Sequence, residues 1–235
     1  MHQATSQDGT RIAYERTGNG PPLVIIGGSL GDHRFYIPLA VELARHVTVY
    51  NFDRRGRGQS GDTRPYAVER ELDDLAALIA DARHLVLVYG HSAGSAFALR
   101  AAAAGLDIAK LVLADPPYGR HSGADDQVRA RQAEAAATIQ AFHDSGDHRG
   151  NAAFFLSGFG LPRAAVDEML DSPTGQMMID SARALPYDYA MVGDALVPDE
   201  LAARVEVPTL VLAPETAPRA RKLLSNSCRM DECRH

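Results

Sequence analysis

The sequence predicts an α/β protein, a mostly parallel sheet with helices on both faces and a helical segment inserted before the last strand. Three observations carry this. Short runs of Val, Ile and Leu alternate with segments of helical periodicity, the pattern of parallel strands joined by crossover helices. A Gly-His-Ser-Ala-Gly segment at 90–94 stands between one such run and an Ala-rich helix. From 118 to 206 the alternation stops and only helical stretches remain, until 207–212 resumes the strand pattern.

In chain order, residues 5–17 read as an opening hairpin around an Asp8-Gly9 turn. Residues 23–26 form a buried strand ending in Gly27-Gly28-Ser29, and 35–44 form a helix with Leu39, Ala40, Leu43 and Ala44 on one side. The strand at 47–52 runs into a glycine-rich loop at 53–61. Helix 68–81 carries Leu72, Leu75, Ala76 and Ile79 on one face. Five apolar residues at 85–89 predict a strand buried on both faces, followed by a helix ending near Gly105. The strand at 108–114 closes on Asp115-Pro116-Pro117. Within the insertion, 126–143, 162–170 and 173–184 read as helices. The expected division is a sheet domain of 1–117 with 207–224, a helical cap of 118–206, and a disordered tail of 225–235.

Bulk properties exclude several classes. The chain has 235 residues, 46% of them hydrophobic, and a net charge of −6, which argues against a nucleic-acid partner. No apolar run approaches bilayer length and no leader pattern opens the chain, so no membrane partner and a cytoplasmic location are expected. Cys228 and Cys233 make no disulfide framework. With His235 they crowd a polar tail, which reads as an unstructured end rather than a metal site. Gly56 to Gly61 matches G-x-G-x-x-G after a strand, but Asp62-Thr63-Arg64-Pro65 intervenes where a dinucleotide-binding helix should open. No cofactor and no metal are expected. Arg54, Arg55 and Arg57 read as a solvated loop making local hydrogen bonds.

The 90–94 segment fits the G-x-S-x-G nucleophile elbow. A turn from strand to helix within five residues strains the serine, and its neighbours two positions away must lack side chains. Ser92 is therefore the candidate nucleophile, and the backbone N–H of Ala93 the first donor to an oxyanion.

These parts together resemble the α/β-hydrolase superfamily. The pieces that carry the resemblance are the Ile26-Gly27-Gly28 strand end, the Asp53-Arg54-Arg55-Gly56-Arg57-Gly58-Gln59-Ser60 loop, the elbow, and the Val-Pro-Thr-Leu-Val-Leu strand at 207–212. The resemblance implies a serine hydrolase of the esterase, lipase or lactonase type, or a cofactor-free haloperoxidase-like relative, acting on a small ester-like substrate. It also implies a second oxyanion donor where related enzymes carry His-Gly-x. Here that run is Gly27-Gly28-Ser29, so the donor is the Ser29 N–H. For the carboxylate it implies Asp115, at the strand end that some members use. The alternative is Glu215, since the more usual site after the cap reads Pro214-Glu215-Thr216-Ala217-Pro218 with alanine in place of aspartate. The superfamily histidine lies beyond a further strand, and after Leu224 this chain has only His235. His33, just past the oxyanion turn, is open between a pocket role and a surface loop. Two readings stand: a serine hydrolase impaired by a missing catalytic histidine, its end lost or replaced, or a non-catalytic small-ligand-binding protein on the same fold. The cap's Phe154, Phe155, Phe159, Leu161, Met169, Met177, Met178, Tyr187 and Tyr189 either line an acyl pocket or form the cap's own core.

Overall fold

The computed structural model describes residues 1–83, 85–119 and 123–213; Glu215, His235 and the segment 225–235 lie outside them. The described strands form one seven-stranded sheet in the order β1-β2-β4-β3-β5-β6-β7. β1 (His2–Thr5) and β2 (Arg11–Thr17) make the expected antiparallel hairpin, where the Asp8 carboxylate accepts from the Thr10 N–H at 3.0 Å. β2 also runs antiparallel to β4 (Thr48–Phe52). From β4 inward every pairing is parallel, through β3 (Pro22–Ile26), β5 (Val86–His91), β6 (Ile108–Ala114) and β7 (Thr209–Leu212).

Alternating side chains divide the core between the two faces of the sheet. On one face Ile12, Val24, Ile26 and Val88 pack against α2 (Val68–Ala82) and α3 (Ala93–Ala103). On the other, Leu23, Ile25 and Val49 meet α1 (Ile37–Leu43) and Tyr36 from a 3-10 turn at His33–Tyr36. The 3-10 turn starts two residues before the predicted helix, because the Asp32 carboxylate caps it by accepting from the Arg34 N–H. The strand at 85–89 differs from its prediction: Leu85 is outside β5 and 61% exposed, and Leu87 and Tyr89 are only half-buried. Among the described residues only α1 and the 3-10 turn cover that second face.

Helices fill the stretch between β6 and β7. α4 (Asp125–Ser145), α6 (Arg163–Asp171) and α7 (Gly175–Ser181) correspond to predicted segments. α5 (His148–Ser157), α8 (Leu185–Val192) and α9 (Asp199–Ala202) had no clear periodicity to announce them. Ile139, Leu156, Val166, Leu170 and Leu185 form a separate apolar cluster that reaches the sheet's loops through Leu30. α8, which gives Leu185 to that cluster, also packs on α3, as does α9, and Met191 joins the core under the sheet. No helix among the described residues is long and apolar enough to cross a membrane.

Candidate active site

Ser92 sits between β5 and α3 with φ 52° and ψ −122°, a backbone conformation that side chains disfavour. Neighbouring backbone forces it. A Cβ on Gly90 would collide with the Gly94 carbonyl, and one on Gly94 with the Ile26 carbonyl, so both positions require glycine. The bend is braced by the Ser92 N–H donating to the Ala114 carbonyl at 2.9 Å. Ser95 Oγ adds bonds to the Gly90 and Ala114 carbonyls at 2.8 and 2.9 Å. Ser92 precedes the first turn of α3 yet its hydroxyl makes no capping bond. The side chain is thus spared for other contacts.

A cavity of about 280 Å³ opens at this bend, and all four residues singled out from the sequence line it: Ser29, Ser92, Ala93 and Asp115. Asp115 is exposed, with φ 49°, and its N–H donates to the Leu212 carbonyl at 2.8 Å, so the ends of β6 and β7 set its place. The helical stretch supplies Gln132, Phe155, Phe159, Asp188, Tyr189 and Val192. Phe155 and Tyr189 also pack against the helices' own cluster, so the two roles weighed for these aromatics coexist. No histidine lines the cavity among the described residues.

Two buried constellations support the Gly27-Gly28-Ser29 turn. In the first, the Gly28 N–H donates to the Tyr36 hydroxyl at 2.7 Å, and that hydroxyl lies 2.9 Å from His91 Nδ1. Burial pushes the Tyr36 hydroxyl up to about 12, so it stays protonated and donates to Nδ1. The proton of the neutral imidazole is then on Nε2. Burial also holds the His91 ring below the ordinary histidine value, against the opposing charge of Asp115. In the second, Arg54 pairs with both oxygens of Glu71 at 2.7 and 2.8 Å and with Asp188 Oδ1 at 2.7 Å. Its guanidinium also lies over the Phe97 ring at 5.5 Å. Arg57 reaches the same Oδ1 at 2.7 Å. Burial pushes the Asp188 carboxyl up, but Arg57 and Arg54 outweigh it and keep it below the usual carboxylate range.

This overturns the solvated-loop expectation for Arg54, Arg55 and Arg57, which are 2%, 0% and 1% exposed. Each finds carboxylates from distant elements; Arg55 takes both oxygens of Asp74 at 2.7 and 2.8 Å and Asp8 at 3.0 Å. The reason is length: helices α2 and α8 bring acids that no local pattern associates with the loop. The surface alternative for His33 is likewise overturned. It is 6% exposed, and its N–H and Nδ1 both meet Asp53 Oδ1 at 2.8 Å. Asp32, His33 and Asp53 cluster at metal-ligand spacing, but Asp53 Oδ2 is taken by the Gln59 N–H and Asp32 by Arg34. Their atoms already brace the loop. As for the G-x-G-x-x-G match, α2 begins only at Val68, so Gly61 opens no helix.

Among residues not found from the sequence, Asp188 stands out. It lies 134 positions from Arg54, beyond the 173–184 helix that the sequence predicts, and nothing near it in the chain signals a partner.

Comparison with known proteins places these features in context. A model described as "Alpha/beta hydrolase family" matches residues 23–234. N-formylmaleamate deformylase of Pseudomonas putida is 37% identical over 120 residues, covering 48% of this chain and 44% of the relative. The chain therefore spans less than half of that curated relative. A solved α/β hydrolase from Sphaerobacter thermophilus superposes with a TM-score of 0.80 at 39% identity, covering 92% of this chain and 83% of that one. The enol-lactonase of Burkholderia xenovorans LB400 shares the fold alone, at 22% identity and a TM-score of 0.58 over 90% of this chain and 80% of that one. With a family match over most of its length and the fold to go with it, the chain belongs to the alpha/beta hydrolase family.

Proposed function

We propose that the chain is a serine hydrolase that cleaves ester-like bonds in small, largely apolar acyl substrates through an acyl-enzyme on Ser92. The observation that carries this is the strained Ser92 backbone, which turns an uncommitted hydroxyl toward a cavity also lined by Ser29, Ala93 and Asp115. Strain held at one residue by surrounding backbone is what a presented nucleophile requires. The deformylase relative is a hydrolase too, which agrees with the reaction class.

In the proposed reaction Ser92 Oγ attacks the scissile carbonyl carbon and gives its proton to a base. The carbonyl electrons move to oxygen, where the N–H groups of Ala93 and Ser29 meet the charge. The tetrahedral centre collapses, the alcohol or amine leaves with that proton, and water repeats the sequence on the acyl-enzyme. Asp115 orients and balances the base. For the base, the resemblance points past β7, where His235 is the candidate. The same reading keeps a small-molecule partner and a cytoplasmic location.

The test is hydrolysis of 4-nitrophenyl butyrate together with labelling by a fluorophosphonate. Turnover that disappears in Ser92→Ala, with the label mapped to Ser92, supports the reading. Turnover that survives Ser92→Ala overturns it. The second reading, a ligand-binding protein on the same fold, is favoured by the lack of a histidine among the described lining residues. Binding of butyrate-sized ligands without turnover or labelling selects it.

A further inference from the structure

The wall of the cavity beside the oxyanion turn is built from Ser29 and Asp188. Asp188 is 2% exposed and its Oδ1 receives two guanidiniums, yet its Oδ2 is buried with no hydrogen-bond partner. A buried carboxylate oxygen left unmatched is costly, and it can only accept. The Ser29 hydroxyl, on the same lining, helps keep the carboxylate ionised without reaching Oδ2 in hydrogen-bonding geometry. Ser29 itself is half-buried and faces the cavity. Its hydroxyl turns freely about the Cβ–Oγ bond, and the unmatched Asp188 Oδ2 is an acceptor for its proton. With the proton directed there, Ser29 Oγ shows only lone pairs to a bound molecule.

We infer that Ser29 Oγ, backed by Asp188, is an acceptor subsite that takes a hydroxyl or N–H group of the substrate. The substrate class is then acyl compounds bearing a neutral O–H or N–H donor near the scissile carbonyl. Charge decides for a neutral donor over an ammonium. Arg54 and Arg57 already balance Glu71 and Asp188, so the subsite has no net charge to match. A substrate carboxylate is disfavoured as well, since the described lining includes Asp115 and neither Lys nor Arg. This inference rests on the serine-hydrolase reading for its reacting carbonyl, but the acceptor subsite can be tested without turnover.

The experiment compares 4-nitrophenyl butyrate with the 4-nitrophenyl esters of 2-hydroxybutyrate and 3-hydroxybutyrate on the full chain. A hydrogen bond to an ionised or ion-backed acceptor predicts kcat/KM higher by about tenfold or more for at least one hydroxy ester, after correction for its spontaneous hydrolysis. Ser29→Ala, which keeps the backbone N–H, and Asp188→Ala should each bring that ratio to within about threefold of one. No preference in the unaltered protein overturns the proposal, as does a preference that survives Ser29→Ala. If Asp188→Ala fails to fold, the Ser29→Ala comparison carries the decision. If no ester is turned over, saturation-transfer NMR on the Ser92→Ala protein compares 3-hydroxybutyramide with butyramide. Tighter binding of the hydroxylated amide upholds the subsite while the hydrolase reading fails; equal binding overturns the subsite.

Discussion

The Tyr36 hydroxyl stands 2.9 Å from His91 Nδ1 while accepting from the Gly28 N–H at 2.7 Å, tying the residue before Ser92 to the residue before Ser29. One phenol therefore bridges the two turns that bring Ser29 and Ser92 to the cavity. Tyr36→Phe leaves two buried polar groups unpaired, so denaturant unfolding should show a loss of about 1–3 kcal/mol. Because the link acts on position and not on substrate contact, ester hydrolysis should lose more in kcat than in KM. Unchanged stability with an unchanged kcat would sink this role.

Ser92 carries a conformation that alanine shares no better and glycine adopts freely. Ser92→Gly should therefore be more stable than Ser92→Ala by about 1–2 kcal/mol, although both remove the hydroxyl. Paired urea melts measure the difference. Equal stabilities would mean that the bend relaxes in solution.

Arg54 joins α2 to α8 through Glu71 and Asp188 inside the protein. Arg54→Leu strands the Glu71 carboxylate away from water and leaves Asp188 to Arg57 alone, at a cost of about 3–5 kcal/mol, enough to put most of the chain in the insoluble fraction. Arg54→Lys should recover only part of this, since one ammonium cannot meet Glu71 with paired parallel bonds. Expression yield and melting temperature distinguish the three proteins.

The His91 ring gives a pH dependence whose sign follows from its lowered folded value. Protonation favours the unfolded chain, where the ring titrates near its ordinary value of about 6.5. This contribution to stability is complete above that value and declines as the pH falls below it, through the folded value. Melting temperatures between pH 8 and pH 5 should fall less steeply in His91→Gln than in the unaltered protein. Parallel curves would show that His91 is not the group responsible.

How much could be read from the sequence depended on how local the governing contact was. Strands β3 to β6 and the elbow announce themselves because side-chain period and glycine placement act within a few residues. Ser92 and Ala93 followed from the elbow, and Ser29 and Asp115 from the resemblance; all four meet at one cavity. Leu85 misled because apolar character marks a strand without saying where its pairing begins; β5 starts one residue later.

By itself the sequence determined the alternating sheet, the family, and the bend that presents Ser92, since each depends on short-range sterics and periodicity. Tertiary structure alone decided that three arginines of a polar-looking loop lie buried, and that Asp188 faces the same cavity as Ser92. Burial reverses the meaning of a charge: in water Arg54 and Asp188 would ignore each other across 134 residues, while inside the fold each requires opposite charge beside it.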